Sequence, residues 1–184
     1  MRPRGPPSMF GCRSLLVILA IATASAVAQP AAEPPPNLVP ISELIVTSGQ
    51  PSAGWLGELK ARGFAAVIYL APPTVGDAVR DEALIVARQG LTFVNIPIRF
   101  DGPTAADFEA FAGAMKGLAS RKVLVHCQVN LRASSMTFLY RAIVLKEKPE
   151  IAYEAVAGVW SPDGAWKKFI ASQLAQNGIA FDPL

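Results

Sequence analysis

An α/β fold, with a mainly parallel central sheet and helices on both faces, is predicted for this 184-residue chain by three observations. Short apolar runs alternate with segments of helical length, which is the pattern of strand–helix–strand units. A 52% hydrophobic, 17% charged composition excludes a disordered chain and is enough for a packed core. No internal repeat breaks the alternation, so one domain accounts for it.

The first segment stands outside that alternation. Arg2, Arg4 and Arg13 precede the apolar run Leu15–Ala22, and small residues follow, ending Ala26-Val27-Ala28. A positive start, a short apolar stretch and an A-x-A site describe a secretory signal peptide over residues 1–28, cleaved after Ala28. Leu15–Ala28 falls short of the ~20 residues that a membrane-spanning helix needs. Cys12 lies ahead of the apolar run, where no lipoprotein site is expected. The mature protein is therefore expected in the periplasm or secreted, with no membrane span.

Cleavage also relocates the charge. The whole chain carries 17 Lys+Arg against 14 Asp+Glu, and the leader takes away three arginines and no acid, leaving 14 against 14. A neutral mature domain is not a general nucleic-acid binder. One cysteine remains, Cys127, beside the one histidine, His126. That pair cannot assemble a zinc cluster, and neither metal nor other cofactor is expected.

Residues 29–37 read as a proline-rich linker and residues 38–184 as the domain. Strands are predicted at Leu44–Thr47, Ala65–Leu70, Thr92–Ile96 and Lys122–His126. Helices are predicted at Ser52–Arg62, Val75–Gln89, Thr104–Ala119, Ala133–Lys146, Pro149–Val159 and Pro162–Gln176. Thr104-x-x-Asp107 is a capping-box start with Asp in the usual Glu place. Ser161 before Pro162 reads as an N-cap followed by proline at the first helical position. Trp160 and Trp166, around that start, read as packing residues.

Chemistry concentrates after the last strand. Val123-Leu124-Val125 suits a buried central strand, and it ends in His126-Cys127-Gln128-Val129-Asn130-Leu131-Arg132 before a helical pattern. A thiol at a strand's carboxyl end and an arginine at the next helix start would face the N–H groups of the intervening loop, an anion cradle. That field favours thiolate over thiol, and the planar guanidinium can grip two oxygens of a bound oxyanion. The alternative is a small buried hydrophobe at Cys127 beside a solvated arginine. First-turn arginine opposes the helix dipole, so an anion partner explains it better.

His126-Cys127…Arg132 resembles the signature loop of the cysteine-dependent protein tyrosine and dual-specificity phosphatases. Thr47-Ser48-Gly49-Gln50-Pro51-Ser52, with Leu59-Lys60 and Gly63-Phe64 leading into Val67-Ile68-Tyr69-Leu70, is similar to the bacterial beta-lactamase-hydrolase-like phosphatases within that superfamily. The resemblance spans about residues 40–170 and implies a protein-tyrosine-phosphatase-like fold. It implies Cys127 as a nucleophile forming a phosphocysteine, Arg132 as the phosphate clamp, and His126 as the residue that orients the loop and helps hold the thiolate. Gln128, Val129, Asn130, Leu131, Ala133 and Ser134 would bind the phosphorylated or other oxyanionic substrate. Asp101 matches the place of the general acid. Read locally, Asp101 equally starts a turn with Gly102-Pro103.

Three departures define the alternatives. Four residues, not five, separate Cys127 from Arg132, a loop length shared with many single-domain rhodaneses, so sulfur transfer through a persulfide is the rival chemistry. Asn130 stands where the loop usually has glycine, and asparagine is the next residue best able to turn left-handed. Ala133 stands where a hydroxyl usually helps the thiolate leave; with the short loop, it supports a third possibility, a non-catalytic oxyanion-binding module.

Overall fold

The structure, a computed structural model, describes residues 32–182 together with Met1 and Gly5. The expected leader, its cleavage site and Cys12 lie outside the described residues, as do the first residues of the expected linker.

Five strands form one sheet: β1 (Val39–Pro40), β2 (Ile45–Ser48), β3 (Ala66–Tyr69), β4 (Thr92–Asn95) and β5 (Val123–His126). Their spatial order is β1-β2-β5-β3-β4, parallel throughout except for the antiparallel β1 edge. The mainly parallel sheet is as predicted. β1 was not predicted, because two residues containing Pro40 carry no periodic signal, and proline is tolerated only at a sheet edge.

Helices α1 (Ala53–Gly57) and α2 (Glu82–Ala87) cover one face, where Val46, Val67 and Leu124 meet Trp55, Leu56, Leu59 and Val86. Helices α3 (Ala105–Gly117), α4 (Leu131–Leu139), α5 (Pro149–Ala157) and α6 (Gly164–Gln176) enclose the larger core on the other. There Ile45, Ala66, Ile68, Val123 and Val125 pack with Phe111, Met115, Phe138 and Trp166. Alternation along each strand divides its side chains between these two cores. No described helix is long and apolar enough to cross a membrane.

Several helix boundaries differ from prediction. The α3 capping box forms as expected: the Thr104 hydroxyl accepts from the Asp107 N–H at 3.2 Å and the Asp107 carboxylate from the Thr104 N–H at 2.8 Å. The segment predicted as helix over 75–89 is helical only from Glu82; residues 75–81, after Pro72-Pro73 and around Gly76, form a loop. The helix predicted over 133–146 starts earlier, at Leu131, and loosens into a π-helical turn at Tyr140–Val144. α6 starts at Gly164, after Asp163, because Pro162 is buried in packing ahead of the helix instead of opening it.

Candidate active site

The central strand β5, hydrogen-bonded to β2 and β3, delivers Cys127 to the carboxyl edge of the sheet, where parallel α/β folds bind ligands. Three loops meet there: residues 70–81 after β3, 96–104 after β4, and 127–130 after β5. They enclose a cleft of about 240 Å³. Cys127, Gln128, Val129, Leu131 and Arg132 line it from the third loop, Phe100 from the second and Asp77 from the first.

The loop's conformation follows from Asn130. Its φ of +73° is left-handed and turns the chain into α4, as the sequence suggested. Its fully buried amide adds what glycine could not: Nδ2 donates to the Asn37 carbonyl at 2.6 Å and to the Thr47 hydroxyl at 3.1 Å. Asn130 is thus the loop's staple and does not line the cleft.

Neighbouring carbonyls are also tied down. The Gln50 N–H donates to the Gln128 carbonyl at 2.9 Å, and the Asn37 side chain donates to the Val129 carbonyl at 2.9 Å. The C=O and N–H of a peptide unit point in opposite directions, so fastening these carbonyls turns the Val129 and Asn130 N–H groups the other way. Gly49 runs antiparallel to Val129, and its N–H donates to the Pro36 carbonyl at 2.7 Å. A Cβ on Gly49 would sit 2.8 Å from the Gln128 oxygen and 3.0 Å from the Pro36 oxygen, so only glycine fits this approach. The Thr47–Ser52 segment, noticed in the sequence as a motif, is the wall that shapes the cysteine loop. Ser52 ends it as the α1 N-cap, accepting from the Trp55 N–H.

Arg132 is buried at 5% exposure. Its Nε donates to the Ile98 carbonyl at 3.0 Å and Nη1 to the Gln128 Oε1 at 3.4 Å, while the guanidinium lies 5.1 Å from the centre of the Phe100 ring. Two of the five N–H donors are engaged, which leaves the fork able to take an oxyanion. Phe100 is itself set by Trp166, whose Nε1 donates to the Phe100 carbonyl at 2.9 Å, and by ring contacts with Trp160 and Trp166. The tryptophans pack, as expected. Phe100, an aromatic at the cleft, was not foreseen.

His126 ends β5, immediately before Cys127. It is fully buried, stacked on Tyr69 at 4.7 Å, with Nε2 2.6 Å from a carboxylate oxygen of Glu82. Gln50 donates to the other Glu82 oxygen at 2.9 Å. Along β5 the side chains alternate, so His126 faces the α1–α2 side with Leu124, whereas Cys127 joins the α3–α6 core. Burial of Tyr69, then the charges of Glu82, Asp77 and Cys127, push its phenol up to about 12. Glu82 was missed because a charged residue in the middle of a predicted helix reads as solvated.

Of the remaining expected residues, Ala133 and Ser134 are buried in α4 and do not line the cleft; the Ser134 hydroxyl donates to the Leu131 carbonyl at 3.2 Å. Ser135 carries a fully buried hydroxyl without a partner among the described residues. Asp101 is 71% exposed and held by both terminal oxygens to Arg99, at 3.0 and 2.7 Å, which lowers its carboxyl below the usual range. It is not among the residues lining the cleft. Asp77 is, and its carboxylate accepts from the Gln128 Nε2 at 2.9 Å.

The chain is 30% identical to a DUF442 phosphatase-like protein of Shewanella putrefaciens CN-32, over 77% of this chain and 93% of that one, with a TM-score of 0.71. Tk-PTP in its active form is 21% identical over 77% of this chain and 95% of its own, TM-score 0.61. The core catalytic domain of the PP-IP phosphatase SIW14 from S. cerevisiae is 14% identical over 80% and 96%, TM-score 0.59. The last two share the fold. No family model and no curated protein matches the chain. The fold is protein-tyrosine-phosphatase-like, and by its identity and coverage with the Shewanella protein the chain belongs to the DUF442 family of phosphatase-like proteins.

Proposed function

We propose that the protein is a cysteine-dependent phosphatase-like hydrolase of phosphate monoesters, from the beta-lactamase-hydrolase-like branch that its Thr47–Ser52 motif resembles. The observation that carries this is the convergence of Cys127 and Arg132 on one cleft, over a loop whose carbonyls are fastened away from it. In this reading the Cys127 thiolate attacks phosphorus, forming an S–P bond as the ester P–O bond breaks and the leaving oxygen takes a proton. Water then attacks phosphorus, the S–P electron pair returns to sulfur, and inorganic phosphate leaves. Arg132 and the loop N–H groups offset charge on the transferred group's oxygens. Asp101 could supply the proton only by giving up Arg99 and swinging inward.

The test is a paired assay with an aryl phosphate and with thiosulfate, on wild type and Cys127→Ser. Phosphate ester hydrolysis lost in Cys127→Ser supports the proposal. Turnover surviving that substitution overturns it. Thiosulfate sulfur transfer without ester hydrolysis would assign the cysteine to persulfide chemistry, and oxyanion binding without either activity would assign a binding module. We further propose export to the periplasm or beyond. N-terminal sequencing of the exported protein should begin at Gln29.

A further inference from the structure

The proposed hydrolysis needs a proton donor for the leaving oxygen, and two aspartates compete for the role. Asp101 occupies the expected stretch of chain but is paired with Arg99 in solvent. Asp77 comes from a loop that the sequence pattern assigns to a helix, and it is the carboxylate among the residues lining the Cys127 cleft.

We infer that Asp77 is the acid–base residue of the site, an assignment that rests on the phosphatase reading above. The geometry is a chain of three side chains. Arg132 donates to Gln128 Oε1 at 3.4 Å, and Gln128 Nε2 donates to Asp77 Oδ1 at 2.9 Å. Asp77 is thus joined to the oxyanion clamp through one amide, while its second oxygen makes no hydrogen bond among the described residues. An exposed carboxyl held at one oxygen can present the other to a leaving group without breaking an ion pair. The Tyr69 phenol lies in the field of the same groups. After burial, the charges of Glu82, Asp77 and Cys127 raise it, and that of Arg132 opposes them.

In the first step protonated Asp77 gives its proton to the ester oxygen as the P–O bond breaks. In the second its carboxylate takes a proton from the attacking water. The residue ends as it began, and no further reactant is needed.

Leaving-group dependence reads this directly. Phenyl phosphate, whose leaving phenoxide is strongly basic, needs the acid; p-nitrophenyl phosphate needs it far less. Wild type, Asp77→Asn, Asp77→Glu, Asp101→Asn and Cys127→Ser are compared on both substrates across pH. Asp77→Asn is expected to lose on the order of 100-fold or more on phenyl phosphate. It should lose much less on the nitro compound and should flatten the falling alkaline limb of the kcat profile. Asp77→Glu should recover part of the loss. Asp77→Asn within twofold of wild type on both substrates overturns the assignment, as does finding this signature in Asp101→Asn, while Cys127 dependence leaves the phosphatase reading intact. If Cys127→Ser hydrolyses as well as wild type, that reading fails and the role of Asp77 falls with it.

Discussion

Substitution at Asn130 separates two contributions that this residue combines. Asn130→Gly keeps the left-handed φ free of strain but removes the hydrogen bonds to Asn37 and Thr47. At about 1 kcal/mol net for each, the loss is roughly 2 kcal/mol, slightly more with the added freedom of glycine in the unfolded chain. Asn130→Ala loses the same bonds and adds the cost of a β-carbon in the left-handed region, so it should lie roughly 1 kcal/mol below glycine. Asn130→Asp tolerates the φ but turns an acceptor-only carboxylate toward the Asn37 carbonyl, and should also fall below glycine. Urea unfolding followed by tryptophan fluorescence measures the series. For a chain of this size the glycine variant should melt about 4–8 °C below wild type. An alanine variant as stable as the glycine one refutes the conformational part. A glycine variant within about 0.5 kcal/mol of wild type refutes the hydrogen-bond part.

Glu82→Ala should destabilise by roughly 1–3 kcal/mol, because it leaves buried His126 and Gln50 without the carboxylate they face; loss under about 0.5 kcal/mol in the same unfolding assay counts against a buried polar contact. Gly49→Ala should cost about 1–3 kcal/mol and weaken vanadate binding, since the atoms its Cβ meets are backbone and cannot yield; unchanged binding would detach this wall from the cysteine loop. Tyr69, Tyr140 and Tyr153 are all raised above 10 by burial, Tyr69 to about 12. A raised phenol contributes stability fully below about pH 10, and that contribution is lost as pH climbs toward 12. Tyrosinate absorbance should therefore be low at pH 10 in the native protein and near half-maximal in denaturant, and half-ionised native tyrosines would contradict the burial.

What the sequence discloses of this fold is what local chemistry determines. The apolar runs mark β2 to β5 within a residue or two, Thr104 and Asp107 announce α3, and Asn130 signals a left-handed turn. The positions that escaped depend on partners far along the chain. Glu82 becomes a buried partner only because β5 inserts beside β3, bringing His126 against α2. Asp77 looks like an early helical residue until Gln128, 51 positions away, engages its carboxylate. Asp101 is the converse case: its place in the motif pointed inward, and Arg99, two residues away, holds it in solvent. Helical periodicity over 75–89 and the turn chemistry of Asp101-Gly102-Pro103 are both blind to such contacts.

Pro36 and Asn37 close the cysteine loop largely through main-chain atoms: one carbonyl receives Gly49 and the next receives Asn130. Every residue type provides such a carbonyl, so point substitution at Pro36 should be tolerated. Removing the segment should not be. A truncation series walking in from the amino end should therefore show a sharp boundary just before residue 35, well ahead of the first predicted strand. Related proteins could vary at Pro36 while keeping the length and path of the strap, but not freely at Asn37, whose left-handed φ of +49° and side-chain bond to the Val129 carbonyl call for asparagine.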